Sequence, residues 1–281
     1  MANVVNQTAN FEPIHAAHAI EQVAFVVQFD RPFNDSVFSD IKEISKQFET
    51  KLPGKMEIQS MSFALGSQPV IQPQQAPTGL ILRRMAPDGS VEAELRIERN
   101  SLTFLTTLYS RWDAIWSQAS GYFNILLPLY LAQNGVRLLA VSQNYVDKFS
   151  WAGVLADCAP HYLLRQESKY VSKHIFDTKE FWHSHTGCFI RMSNFVKRLL
   201  NVNVDFLDEP YREGSRRVIS ITTVLTDQFN QAGHDEYLAN QQDTIAMINT
   251  RMQDMHLYGK EILRDLITHQ MSQRIALTDK I

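Results

Sequence analysis

Cysteine is nearly missing from this chain. Cys158 and Cys188 are the two it has in 281 residues, thirty positions apart and outside any CxxC pair. That spacing excludes a disulfide framework or thiol-rich metal centre, and it fits a reducing compartment. The opening "MANVVNQTANFEPIHAAHAIEQ" lacks the basic and apolar regions of a secretory leader, so a cytoplasmic location is expected. Long hydrophobic runs are missing too. The longest, "YFNILLPLYLA", is broken by Pro128 and is too short for a bilayer, so no membrane contact is expected. Charge of neither sign dominates: 27 basic against 30 acidic residues give a net charge of −3. That offers little to nucleic acid, and the basic pairs Arg83/Arg84, Lys197/Arg198 and Arg216/Arg217 are expected to be solvated strand edges. GxGxxG, P-loop and GxSxG patterns are likewise missing, which argues against a dinucleotide fold, an NTPase or a serine hydrolase.

What is present is alternating strand and helix periodicity. "EQVAFVVQF" (21–29) is β-branched and aromatic enough for a buried strand. Asn34, Asp35 or Ser36 can then cap a helix whose stripe is Val37, Phe38, Ile41, Ile44 and Phe48, and "PG" at 53–54 stops it. "MEIQSMSFAL" reads as a strand with a phase slip, and "SQPVIQPQQAP" as a loop. "TGLILRRM" and "VEAELRIE" flank "PDGS" as a hairpin, followed by the strand "SLTFLTTLY". A long helix from the N-cap Ser110 carries Trp112, Ile115, Trp116, Ala119 and Phe123 on one face and ends at Asn134–Gly135.

After Gly135 the order repeats. "VRLLAVSQNYVDKFSW" is a long strand, Trp151 to Lys173 a mixed region, and three strands follow near 181–192, 199–206 and 217–226. The closing helix, Tyr237 to Ile275, carries Leu238, Ile245, Ile248, Met252, Met255 and Ile262 in one stripe, with Gly259 placed to let it bend. These patterns predict one α+β unit over residues 1–281. Its antiparallel sheet is built from two topologically similar halves, 18–134 and 135–276, each strand, helical segment, several strands and long helix. The helices are expected mainly on one face, and residues 1–17 are expected to be irregular.

Four collinear patches resemble a sporadically distributed family of bacterial proteins, about 260 residues long, that has no assigned function. "AIEQVAFVVQF" is similar to its opening Pro-Ile-x-Glu-x-Val strand, with Ala19 in place of proline. "LYSRWDAIW" resembles its Tyr-x-x-Trp helix start. "QNYVDKF" resembles an Arg-Tyr-Ile-Asn-Arg-Ile strand through Tyr145 and Lys148, while Asn144 and Asp147 replace arginine and asparagine. "HLYGKEILRDLITHQM" resembles its closing helix. The resemblance implies a bacterial or mobile-element protein linked to defence or toxin loci. It implies no catalytic residue.

"FWHSHTGCFIR" (181–191) is the densest chemical patch. In a strand His183 and His185 share a face, and a zinc or other transition-metal site would need His174 or His161 to converge on them. A strand with polar residues outward and Cys188 and Phe189 inward explains the same letters without a metal or cofactor. His15 and His18 have helical i,i+3 spacing but fall in the irregular N-terminal segment. His256 and His269 are about 20 Å apart on a straight helix, too far for one ion. Methionine-rich helix faces also serve adaptable binding grooves, which makes Met252, Met255 and Ile262 candidate partner-binding residues. The expected function is therefore a non-enzymatic binding or adaptor protein acting on a protein partner. The alternative is a metal- or small-ligand-dependent enzyme centred on His183 and His185. The breadth of the last helix's apolar surface also points to a homodimer.

Overall fold

The computed structural model describes residues 10–59, 77–133, 135–211, 214–230 and 241–277. Ten strands form one antiparallel sheet: β1 (Phe11–Pro13), β2 (Ile20–Phe29), β3 (Gly54–Ile58), β4 (Gly79–Met85), β5 (Val91–Glu98), β6 (Ser101–Thr106), β7 (Leu138–Trp151), β8 (Trp182–Arg191), β9 (Val196–Tyr211) and β10 (Gly214–Phe229). Their order across the sheet is β3-β4-β5-β6-β2-β7-β10-β9-β8, and β1 adds to the end of β7. The helices are α1 (Asp35–Ser45), α2 (Trp112–Leu131), α3 (Gln241–Leu266) and the short α4 (His269–Arg274). This is an antiparallel α+β fold. No helix among the described residues is long and apolar enough to cross a membrane.

Local sequence accounts for most of the boundaries. Asn34 caps α1, its side-chain oxygen accepting from the Val37 amide at 3.0 Å. The hairpin between β4 and β5 closes where Gly89 takes φ +85. There Asp88 Oδ1 accepts from the amide and hydroxyl of Ser90 at 2.9 and 2.7 Å. The mixed region after β7 resolves into three short 3₁₀ turns, Leu155–Asp157, Pro160–Tyr162 and Lys173–Phe176. Ser110 does not cap α2. The helix starts one residue later with Arg111 in the cap position, and its first turn is tied instead by the Trp112 indole donating to Gln253 Oε1 of α3 at 2.5 Å.

Two further boundaries differ from the sequence expectation. The closing helix runs through Gly259 unbroken and stops at Leu266, because Thr268 caps a separate helix through the Met271 amide. Residues 11–13 are ordered as β1, with Phe11 fully buried against Trp151. The second part of "MEIQSMSFAL" and the loop after it lie outside the described residues.

Alternation along β7 sets the core. Val141, Gln143, Tyr145, Asp147, Phe149 and Trp151 are buried, whereas Ser142, Asn144, Val146, Lys148 and Ser150 are part-exposed. The buried parity meets helices. Phe25 on β2 contacts Trp112 and Trp116 edge-on, Phe29 stacks on Tyr130, and Gln143 Nε2 donates to the Met252 carbonyl of α3 at 3.3 Å. A buried ion pair fastens the other flank. Arg198 on β9, 2% exposed, holds Asp227 on β10, 0% exposed, with two bonds of 2.7 and 2.9 Å, and it reaches Asp254 of α3 at 2.9 Å. Lys197 and Arg198 are thus no solvated edge pair: Lys197 faces out, and Arg198 falls on the parity of Val196, Leu200, Val202 and Val204.

Candidate functional site

A cleft of about 490 Å³ opens where the start of α2 and the middle of α3 cross the C-terminal half of β7. Its volume lies within the range of small-molecule sites. Asp147 of β7 lines it at 4% exposure, and the carboxyl Oδ1 is buried without a hydrogen-bond partner among the described residues. A buried carboxyl with no compensating bond is costly and uncommon. Burial alone raises its pKa from 3.8 to about 7.

Aromatic residues build the walls. Trp116, Trp112 and His256 form a stacked column that joins α2 to α3, with ring centroids 5.7 and 4.2 Å apart and planes within 5° and 4° of parallel. His256 Nδ1 lies 3.1 Å from the Tyr145 hydroxyl. Desolvation lowers the His256 pKa to about 4, with Lys260 adding to the effect, so the imidazole is neutral at ordinary pH. Burial, then the charge of Asp147, raises the Tyr109 phenol, and burial raises that of Tyr145. His18, in the turn before β2, packs edge-on against Tyr109 at 5.3 Å, and burial followed by neighbouring His15 lowers its pKa. Ile275, Ala276 and Leu277, just after α4, complete the rim, with Ala276 held at φ +54.

The residues singled out from sequence are placed elsewhere. His183 and His185 lie on the part-exposed face of β8, both exposed, with ring centroids 6.4 Å apart. His183 Nδ1 is bonded to Asp205 Oδ1 on β9 at 2.6 Å. His174, in the 3₁₀ turn Lys173–Phe176, is not brought to them: no three His, Cys, Asp or Glu side chains gather for a metal ion among the described residues. His161 stacks on Tyr162 instead. His15 and His18 face each other across a β-bridge rather than along a helix turn. Met252, Met255 and Ile262 are each 0% exposed. They are core residues with no surface to offer a partner, because the side of α3 they occupy is spent on the sheet and α2. Cys188 and Phe189 are exposed rather than in the core, since β8 is the edge strand of the sheet.

Asp147 and His256 were legible in principle. In "VSQNYVDKFSW" Asp147 shares the parity of Val141, Tyr145, Phe149 and Trp151. A carboxylate on a buried parity is a polar group that the fold must either pair or use. His256 sits one residue from Met255 on the apolar stripe of α3, but nothing in its own helix shows that Trp112 will stack on it.

No family model matches the chain, and no curated protein is similar enough in sequence to count as a relative.

Proposed function

We propose that the protein is a binding protein and that its recognition site is the cleft at Asp147, which takes a small molecule. The observation that carries this is the Asp147 carboxyl, nearly fully buried, lining a cleft of ligand size, with Oδ1 lacking a partner. A stable fold retains such a group at a cost, and a ligand that supplies the missing hydrogen bond offsets it. Thermal-shift screening of a metabolite library against wild type and Asp147→Asn tests the proposal. A stabilising compound that loses its effect in Asp147→Asn supports it. A library with no hit on wild type counts against it.

The adaptor role on a protein partner, in a bacterial defence or toxin-associated system, is a second proposal. It is favoured by the part-exposed parity of the central strand, Ser142 to Ser150. A stoichiometric partner retained by Asp147→Asn and lost in Val146→Glu would support it over the cleft. The two-halves architecture, with helices mainly on one face, belongs to the same proposal. It is supported by the strand order, in which β2 pairs with β6, β7 pairs with β10, and β2 and β7 meet at the centre.

A further inference from the structure

We infer that the ligand of the Asp147 cleft presents a protonated nitrogen, as an amine, amidine or guanidine, on a flat apolar body. The inference rests on the cleft being a small-molecule site. Three observations fix the chemistry. First, Asp147 is the one buried charged side chain lining the cleft. The other charges there, Arg111, Asp113 and Lys260, are exposed or part-exposed on α2 and α3, where solvent and salt screen them.

Second, no group among the described residues hydrogen-bonds Asp147 Oδ1. Of the two imidazoles that line the cleft, His256 has its Nδ1 engaged by Tyr145 and its pKa lowered to about 4 by burial, and burial followed by His15 lowers that of His18. Buried carboxylates are stabilised by a positive charge that also donates hydrogen bonds, and a forked donor such as an amidine satisfies both oxygens at once. Third, apart from Trp112, whose faces are already taken by Trp116 and His256, the remaining lining is aromatic and aliphatic, including Tyr109, Leu257 and Leu263. Such surfaces hold planar apolar bodies and attract cations over their ring faces. An anionic ligand would have to place its charge against Asp147 or remain at the rim.

Calorimetric titration of the full chain with benzamidine, its neutral isostere benzamide, and benzoate tests the inference. The expected result is that benzamidine binds wild type at least about tenfold more tightly than benzamide. Asp147→Asn should abolish that preference, weakening benzamidine far more than benzamide. Asp147→Ser serves as the second variant should the asparagine protein not fold. Benzamidine binding that survives both substitutions overturns the ligand class, as does a preference for benzoate. Where benzoate is preferred and is lost in Lys260→Gln, the cleft stands as a small-molecule site and only the charge assignment fails. Binding of none of the three at millimolar concentration overturns both the ligand class and the cleft as a recognition site.

Discussion

Replacing Asp147 with asparagine should stabilise the protein, and should do so only where a carboxyl can ionise. The side chain titrates at 3.8 when free and at about 7 in the fold, because burial disfavours its charged form. Its neutral form therefore suits the folded state. The associated stability is fully present below pH 3.8, falls as pH rises, and is lost above about pH 7. At about 1.36 kcal/mol per pH unit the whole loss amounts to about 4 kcal/mol. Asparagine cannot ionise and keeps the same shape, but its amide also needs partners in a buried place. A gain of about 2–4 kcal/mol at pH 8 remains, which is a Tm rise of about 5–10 °C. Wild type alone would hide the effect, because His256 titrates in the opposite sense over an overlapping range. The quantity to measure is thus the difference in Tm between variant and wild type, by calorimetry from pH 4 to pH 8.5. It should be smallest at pH 4, zero or negative by the cost of burying the amide, and grow to a plateau above pH 7. A difference of the same size at every pH would show that Asp147 is not a desolvated titrating carboxyl, and the argument for the cleft would fall with it.

Three further outcomes follow from the same contacts. The His256 imidazole accepts a proton at 6.5 when free and at about 4 in the fold. The His256 contribution therefore falls by up to about 3 kcal/mol as pH drops from 6.5 through 4, and in urea melts the stability difference between wild type and His256→Gln should change by that amount over the same range. Arg198→Leu should cost about 3–5 kcal/mol by leaving Asp227 buried without its hydrogen-bonded partner, Arg251 reaching it only at 3.7 Å, whereas Arg198→Leu with Asp227→Leu should recover most of it. A double variant no better than the single would refute that account of the ion pair. Met252→Ala and Met255→Ala should each destabilise by about 2–5 kcal/mol in chemical denaturation, as core truncations do. Losses under about 0.5 kcal/mol would mean that these side chains are not packed in the chain.

The sequence by itself determined what depends on neighbours a few residues apart. The Asn34 cap, the Asp88–Gly89 turn, the two long helices and the alternation of β2 and β7 all rest on local conformational preference and short periodicity. The fold class followed from them. Once the structure fixed which faces are buried, Asp147 and Arg198 fell on the buried parities of β7 and β9, although the sequence alone points to Lys197 and Arg198 as a solvated pair. What those groups meet was decided by tertiary structure alone. Asp227 answers Arg198 across 29 positions, and His256 answers Tyr145 across 111. Such pairings depend on strand order, on the register between β7 and β10, and on where α3 crosses the sheet. No local pattern encodes these, because each is a property of two distant segments at once. The histidines of "FWHSHTGCFIR" show the converse. Their clustering in the chain drew attention to an exposed edge strand, while the cleft was assembled from residues no nearer than α2, β7 and α3, brought together by the burial of apolar surface.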